Sequence, residues 1–403
     1  MKSSNTHALV PAVILDITQS GYDIIRSLHP YKIPLYAFSH KEKCLEHYTN
    51  RIQKFIQWSS LNDLLTKLIQ LAESMDQRPV LIISSDNRVK FVMDHYDIIL
   101  KYYLVNLPPV VTLDILLDKT KFSAFALAHD ILIPKTLNIT KPEDLGEAQA
   151  FNYPVILKPF LKMPNWYAAE LPKAFIYNTY EELAQGFPDI YKIEPRLILQ
   201  EYIPGGDDMI FFCMTYFNQA GECEHSFTGR KIRQWHPLTG TAASLRPFAN
   251  QEVEETTKHI YKLLNFRGFG AFEFKYNAVN DKYYVIEATA GRLDVNAYAA
   301  TAGGFNLPLA AYCDLTQQQI MPKEKAHSNF VFIHEINEIQ TVLFLLNTKQ
   351  LTLKELFKSY KGKLYFHYMT FGDFGVSGRM FYQLFKTIGG QVKRYLRRRI
   401  AFR

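Results

Sequence analysis

Near the middle of the chain two β-rich runs, each carrying one carboxylate, are joined by a short polar connection. The first reads Ala271-Phe272-Glu273-Phe274-Lys275-Tyr276 and the second Tyr283-Tyr284-Val285-Ile286-Glu287-Ala288, with Asn277 to Asp281 between them. Aromatic and β-branched residues suit a pleated strand and the Asn/Asp connection suits a reversal, so the segment predicts a β-hairpin. The hairpin constrains more than its own backbone, because a side-chain period of two decides which residues share a face. In the register that sets Lys275 opposite Tyr283, Glu273 and Glu287 are diagonal neighbours on one face, their backbones about 7–8 Å apart. Two carboxylates so placed repel unless a cation lies between them, and hard Mg²⁺ with phosphate oxygens suits such a pair. Taken alone, the pair also fits two solvated glutamates on an open sheet face.

At 403 residues the chain exceeds what one hydrophobic core organises, so two or three domains are expected. Its apolar fraction of 48% excludes a disordered chain. Cys44, Cys213, Cys223 and Cys313 are scattered, with no CxxC pair and no histidine cluster at metal spacing. They predict reduced packing thiols of a cytoplasmic protein. The opening MKSSNTHALVPAVILDI has an apolar run too short to span a bilayer and no small-residue cleavage site, so it predicts a strand. The formal charge of +7 is carried by the end of the chain: Lys386, Lys393, Arg394, Arg397, Arg398, Arg399 and Arg403 are unaccompanied by any acid after Leu384. The rest is neutral in sum, which argues against a nucleic-acid partner.

Residues 1–115 alternate strand and helix. Ala8 to Ile17, Ile33 to Phe38 and Val80 to Ser84 are predicted strands; the stretch from Gly21 to Leu28 and Leu61 to Ala72 are predicted helices. That order predicts a parallel, Rossmann-like sheet. The turn after the first strand, Asp16-Ile17-Thr18-Gln19-Ser20-Gly21, lacks GxGxxG, and GxxxxGK[ST] occurs nowhere, so nicotinamide and P-loop sites are disfavoured. Further on, Lys119 to His129 predicts a helix, and Tyr153 to Pro159 a strand ending in Lys158. Tyr180 to Gly186 predicts a helix, Arg196 to Ile203 a strand, and Met209 to Tyr216 another strand after the turn Pro204-Gly205-Gly206-Asp207-Asp208.

In this order the pieces resemble an ATP-grasp ligase. The resemblance implies an α/β protein, α+β in its catalytic part. Its units would be a Rossmann-like pre-ATP-grasp domain (1–115), a small lobe (116–201), a large lobe (202–315) and a C-terminal helical extension (316–403). It implies that ATP is held by Lys119 and Lys158, by an adenine hinge at Gln200, Glu201, Tyr202 and Ile203, and by Asp207 or Asp208 on the ribose. Glu273 and Glu287 would ligate Mg²⁺, or Mn²⁺ in its place. The family's last motif, Glu-x-Asn-x-Arg, here reads Glu287-Ala288-Thr289-Ala290-Gly291-Arg292, so Thr289 stands at the second metal position and Asn296 is a nearby substitute. Phe227 to Gln234 with Gly240-Thr241-Ala242, and Ala302 to Pro308, are similar to carboxylate–amine ligases of the D-aspartate ligase type. That likeness implies a phosphate contact at Lys231, a catalytic role for Arg292, and substrate-carboxylate contacts from Arg230, Arg233 or Arg246. The loop Phe160 to Leu171 lacks the glycines of many family lids, and its Trp166 fits the narrower group or a packing anchor.

The activity so implied is ATP-dependent amide formation through an acyl phosphate, from a carboxylate and an amine of which at least one is acidic. A nucleotide-binding protein without turnover stays open, as does a carboxylase or kinase-like relative, although no biotin-carrier segment or phosphohistidine candidate is found. In the tail, Phe381, Leu384, Phe385, Ile388, Val392, Tyr395 and Leu396 recur at helical spacing, interrupted by Gly389-Gly390. Such a basic, aromatic segment suits either peripheral contact with the inner membrane surface or a helix packed on the body.

Overall fold

The computed structural model describes residues 8–40, 44–160, 164–169, 171–172, 174–323 and 326–386. Three sheets organise them. The first is parallel, in the order β3-β2-β1-β4, from β1 (Ala12–Leu15), β2 (Leu35–Ser39), β3 (Lys54–Gln57) and β4 (Val80–Ile83). The second is antiparallel, in the order β5-β8-β6-β7, from β5 (Thr136–Ile139), β6 (Val155–Pro159), β7 (Phe175–Tyr177) and β8 (Leu197–Glu201). The third comprises β9 (Ile210–Phe217), β10 (Cys223–Trp235), β11 (Thr241–Pro247), β12 (Gly268–Asn277), β13 (Lys282–Ala290), β14 (Phe330–Ile333) and β15 (Lys363–Phe366). Its order is β13-β12-β9-β10-β11-β14-β15.

Most elements form where the residue pattern placed them. Two departures have local causes. β3 was not anticipated: it is a four-residue edge strand with no buried position, so it carries no hydrophobic alternation. The helix expected to end at Gly186 runs on as Tyr180–Ile193, through Gly186 and Pro188. A Cβ at Gly186 would lie 2.7 Å from the Tyr177 hydroxyl, so the glycine permits close helix–sheet packing rather than ending the helix. Thr179 caps the start through Glu182 N.

The first and third sheets share their cores. One apolar cluster joins Ile14 and Ala37 to Phe212, Leu245 and Phe332; a second joins Leu15 and Ile83 to Phe211, Phe272 and Phe274. The second sheet has its own core, around Leu157, Leu183, Phe187 and Leu199. Trp166 belongs there: it is 1% exposed, packs edge-on against Phe175, and donates from Nε1 to Pro172 O at 3.0 Å, as a packing anchor does.

The segment beyond residue 316 is not helical alone. β14 and β15 extend the large sheet, because the run Phe330 to Ile333 is wholly buried against β11. A polar node ties it to the first domain. Buried Asp373 accepts from Tyr22 Oη at 2.9 Å and Thr49 Oγ1 at 2.6 Å, with Arg51 Nε 3.5 Å away. Among the described residues no helix is long and apolar enough to cross a membrane. The basic tail from residue 387 onward lies outside the described residues. Removing one partner of a buried charged node strands the other, so Asp373→Ala is expected to lower the unfolding free energy by about 3–5 kcal/mol in a denaturant titration.

Candidate active site

β12 and β13 form the expected hairpin with Glu273 and Glu287 on one face, but in a different register. Lys275 faces Tyr284, Tyr276 faces Tyr283, and the pairing shifts between Glu273 and Phe274. The extra residue is Ile286, a bulge that hairpin periodicity cannot reveal. Together with the one-residue shift on the turn side, it makes Glu273 and Glu287 direct cross-strand partners instead of diagonal ones. Their carboxylates are therefore closer than the simple register implies.

Lys231 on β10 answers the repulsion. Its Nζ lies 2.8 Å from each Glu273 carboxylate oxygen and 3.1 Å from Gln234 Oε1. Burial pushes the Glu273 carboxyl above its ordinary range; Lys231 pulls it back, and Glu287 and Asp294 push it up again. Carboxylate oxygens are hard donors suited to Mg²⁺. Among the described residues no group of three His, Cys, Asp or Glu side chains is arranged to hold a metal by itself. An ion at Glu273 and Glu287 would draw its remaining ligands from water and a bound anion, as Mg²⁺ commonly does.

These carboxylates open into a cleft between the second and third sheets. Its walls include Lys119, Lys158, Gln200, Glu201, Tyr202, Ile203, Ile210, Lys275, Ile286, Glu273 and Glu287. It spans about 920 Å³, open space included, within the range of small-molecule sites. Lys119 begins the helix Lys119–Ala128, capped by Asp118, which accepts from Thr120 N and Lys121 N. Lys158 donates to Gln200 Oε1 at 2.7 Å, while Gln200 Nε2 donates to Thr136 Oγ1 at 2.9 Å. Glu201 turns to Asn152, accepting from its N and Nδ2 at 3.0 and 3.1 Å.

Other expected site residues stand elsewhere. Buried Asp207 accepts from Gln234 N, Gln234 Nε2 and Leu238 N at 2.8, 3.0 and 2.7 Å, so its carboxylate holds the 234–238 turn. Exposed Asp208 is outside the cleft wall. Thr289 is buried on the Glu273 face, opposite Ala271, and also outside the wall. Arg292 grips Asp86 of the first domain through Nε and Nη2, the latter at 3.1 Å from Oδ2. It is also within electrostatic reach of Glu287 and Asp294.

Arg230 and Arg246 face each other across β10 and β11, in the row of Phe211 and Phe274. Glu273 shares the next row with Phe212 and Gly229, so the two arginines point to the opposite face of the sheet. Arg246 donates to Ser359 O at 2.8 Å, Arg230 lies over Phe248, and Arg233 is bound by Nε and Nη2 to Glu338.

Two residues of the site were missed from the sequence. Lys275 lies two positions from Glu273, so strand alternation alone could have placed it on that face. It donates to Gly205 O and Gly206 O at 2.8 and 2.7 Å. Burial lowers its ammonium to about 8, with Asp207 and Asp208 acting against the shift. Asp294 had no such signal. It accepts from Asn296 Nδ2 at 3.0 Å, and Asn296 Oδ1 meets His334 Nε2 at 3.1 Å. His334 and His367 are both buried, which pushes each imidazole down to about 3 and keeps it neutral.

The same layering of sheets recurs in solved structures. N5-carboxyaminoimidazole synthetase of Staphylococcus aureus, in complex with ADP, matches with a TM-score of 0.63 at 15% identity, covering 85% of this chain and 87% of that one. L-amino acid ligase of Bacillus licheniformis matches at 0.58 and 13%, covering 81% and 79%. Biotin carboxylase of Campylobacter jejuni matches at 0.60 and 14%, covering 80% and 74%. The chain has the ATP-grasp fold. By sequence it is 23% identical over 245 residues to the D-aspartate ligase of Enterococcus faecium, spanning 57% of this chain and 56% of that protein. No family model matches.

Lys231 is 3% exposed and Glu273 19%. Lys231→Met is therefore expected to cost about 3–5 kcal/mol in urea unfolding, by stranding Glu273. Adding Glu273→Leu should restore most of it. Additive losses in the double variant would show that the two side chains are not coupled.

Proposed function

We propose that the protein is an ATP-dependent carboxylate–amine ligase. The observation that carries this reading is the convergence of Lys119, Lys158, Gln200 and the Glu273–Glu287 pair on one cleft between the two sheets. Mg·ATP binds there, between the lobes 116–201 and 202–315. Lys119 and Lys158 neutralise phosphate oxygens, and the backbone at Glu201 to Ile203 borders the base. Asp207 is occupied by Gln234 and Leu238 and Asp208 stands outside the cleft wall, so neither carboxylate is assigned to the ribose. Glu273 and Glu287 would hold Mg²⁺, with Mn²⁺ a substitute to be tested, and the metal would supply charge neutralisation at the transferring phosphoryl group. Lys231 favours the ionised form of Glu273, against the burial that pushes its carboxyl up.

A substrate carboxylate oxygen attacks the γ-phosphorus, the bond to the β-bridging oxygen breaks, and ADP leaves. The amine nitrogen then attacks the acyl carbon, the bond from that carbon to the phosphate-bearing oxygen breaks, phosphate leaves with that oxygen, and the nitrogen loses a proton. The site acts by position and charge, so no side-chain nucleophile is required. Likeness to a D-aspartate ligase supports an acidic substrate. Of the arginines expected in catalysis or at the substrate, Arg292 is the one within reach of Glu287 and Asp294.

Phosphate release from ATP, screened across amino acids and dicarboxylates, is expected to rise with at least one acid–amine pair and to disappear in Glu287→Gln. Release unaffected by any acid would favour a nucleotide-binding protein without turnover. Mg·ATP should also raise the melting temperature, whereas NADH should not. Lys275 carries its charge on the cleft wall below about pH 8 and loses it as pH rises through that value. Affinity for Mg·ATP, followed by calorimetry, is accordingly expected to decline through pH 8, and Lys275→Arg to flatten the decline.

A further inference from the structure

The described part of the C-terminal segment ends in a helix over residues 374–386 that has two apolar faces. One is packed: Val376, Met380 and Leu384 recur at helical spacing, are at most 9% exposed, and join Tyr22, Leu45 and Tyr368 in a small core. The other is not. Phe374, Phe381 and Phe385, at spacings of seven and four, form a second stripe that is 71%, 44% and 75% exposed. Tyr382 at 58% and Phe371 at 94% widen it, and a Cβ at Gly378, on the same stripe, would meet nothing within 4 Å. A helix that only covers the body needs one apolar stripe. Three outward phenylalanines on an otherwise satisfied helix call for a second partner.

The sequence around the stripe states that partner's charge. From Phe374 to Arg403 there are eight basic residues and no acidic one: Arg379, Lys386 and the six that follow. Arg379 lies 5.0 and 5.1 Å from the Tyr48 and Tyr382 rings, beside the stripe. A second copy of the chain would bring the same positive charge to the contact, which opposes self-association. An anionic lipid surface takes both parts, rings into the headgroup–acyl boundary and cations among the headgroups. We propose that the outward face of helix 374–386, together with the basic residues after it, docks the protein on an anionic membrane surface. This docking is independent of the ligase reading.

The test is sedimentation of the full chain with vesicles of phosphatidylglycerol and phosphatidylcholine, against phosphatidylcholine alone, at low and high salt. The wild-type chain is expected to pellet with the anionic vesicles and to be released by salt. The triple variant Phe374→Ser, Phe381→Ser, Phe385→Ser leaves Val376, Met380 and Leu384 in place, so its melting temperature should be retained while its partitioning falls at least tenfold. Arg397→Gln, Arg398→Gln, Arg399→Gln should lower partitioning by roughly 100-fold, at about fivefold per basic residue. The proposal is overturned if the wild-type chain stays in the supernatant, or if the folded phenylalanine variant pellets as well as wild type. Binding to a single-stranded oligonucleotide with the vesicles untouched would also overturn it, as would a concentration-dependent dimer that the phenylalanine variant abolishes.

Discussion

Two like charges held face to face on adjacent strands dominate the site. Glu273 and Glu287 repel, and directly opposed like charges in a sheet cost up to about 1 kcal/mol even where water screens them. Here Glu273 is largely buried, so water screens it less. The fold places Lys231 against it at 2.8 Å, and to do so it must keep β12, β9 and β10 in register, since Lys231 reaches Glu273 across β9. The shared apolar clusters that clamp the large sheet to the parallel sheet hold that register. Stability and charge placement are thus linked: the core preserves a pair that would relax apart in an isolated hairpin.

The cleft divides the work between two cores. Its carboxylate wall belongs to the large sheet, which is packed on the parallel sheet. Lys158 and Gln200 on its other wall belong to the four-stranded sheet, which has an apolar core of its own. Lys158, Gln200 and Thr136 form a hydrogen-bonded row across that second sheet, so Lys158 is positioned independently of the carboxylates. A substrate bearing phosphate and metal would bridge the two.

The C-terminal segment contributes architecture as well as surface. β14 and β15 lengthen the large sheet, Glu338 engages Arg233, and Asp373 secures the first domain. The helix that follows spends one face on the body and leaves a second, aromatic one exposed.

Much of this was legible in residues alone, and for a physical reason: it depends on local pattern. Alternating strand and helix announced the parallel sheet, Lys158 marked the end of a buried strand, and the two β-rich runs announced a hairpin with both glutamates on one face. What tertiary structure decided depends on pairing between distant strands. A one-residue shift at the turn and the bulge at Ile286 together turned diagonal glutamates into direct partners. The rows across β12, β9 and β10 sent Lys231 to Glu273 and sent Arg230 and Arg246 to the far face, although Arg230 and Lys231 are neighbours in sequence. Asp207 was committed to Gln234 and Leu238, and Asp294 was brought to the carboxylates from a loop. In a strand one position separates the two faces, and only the register of the whole sheet says which face meets the cleft.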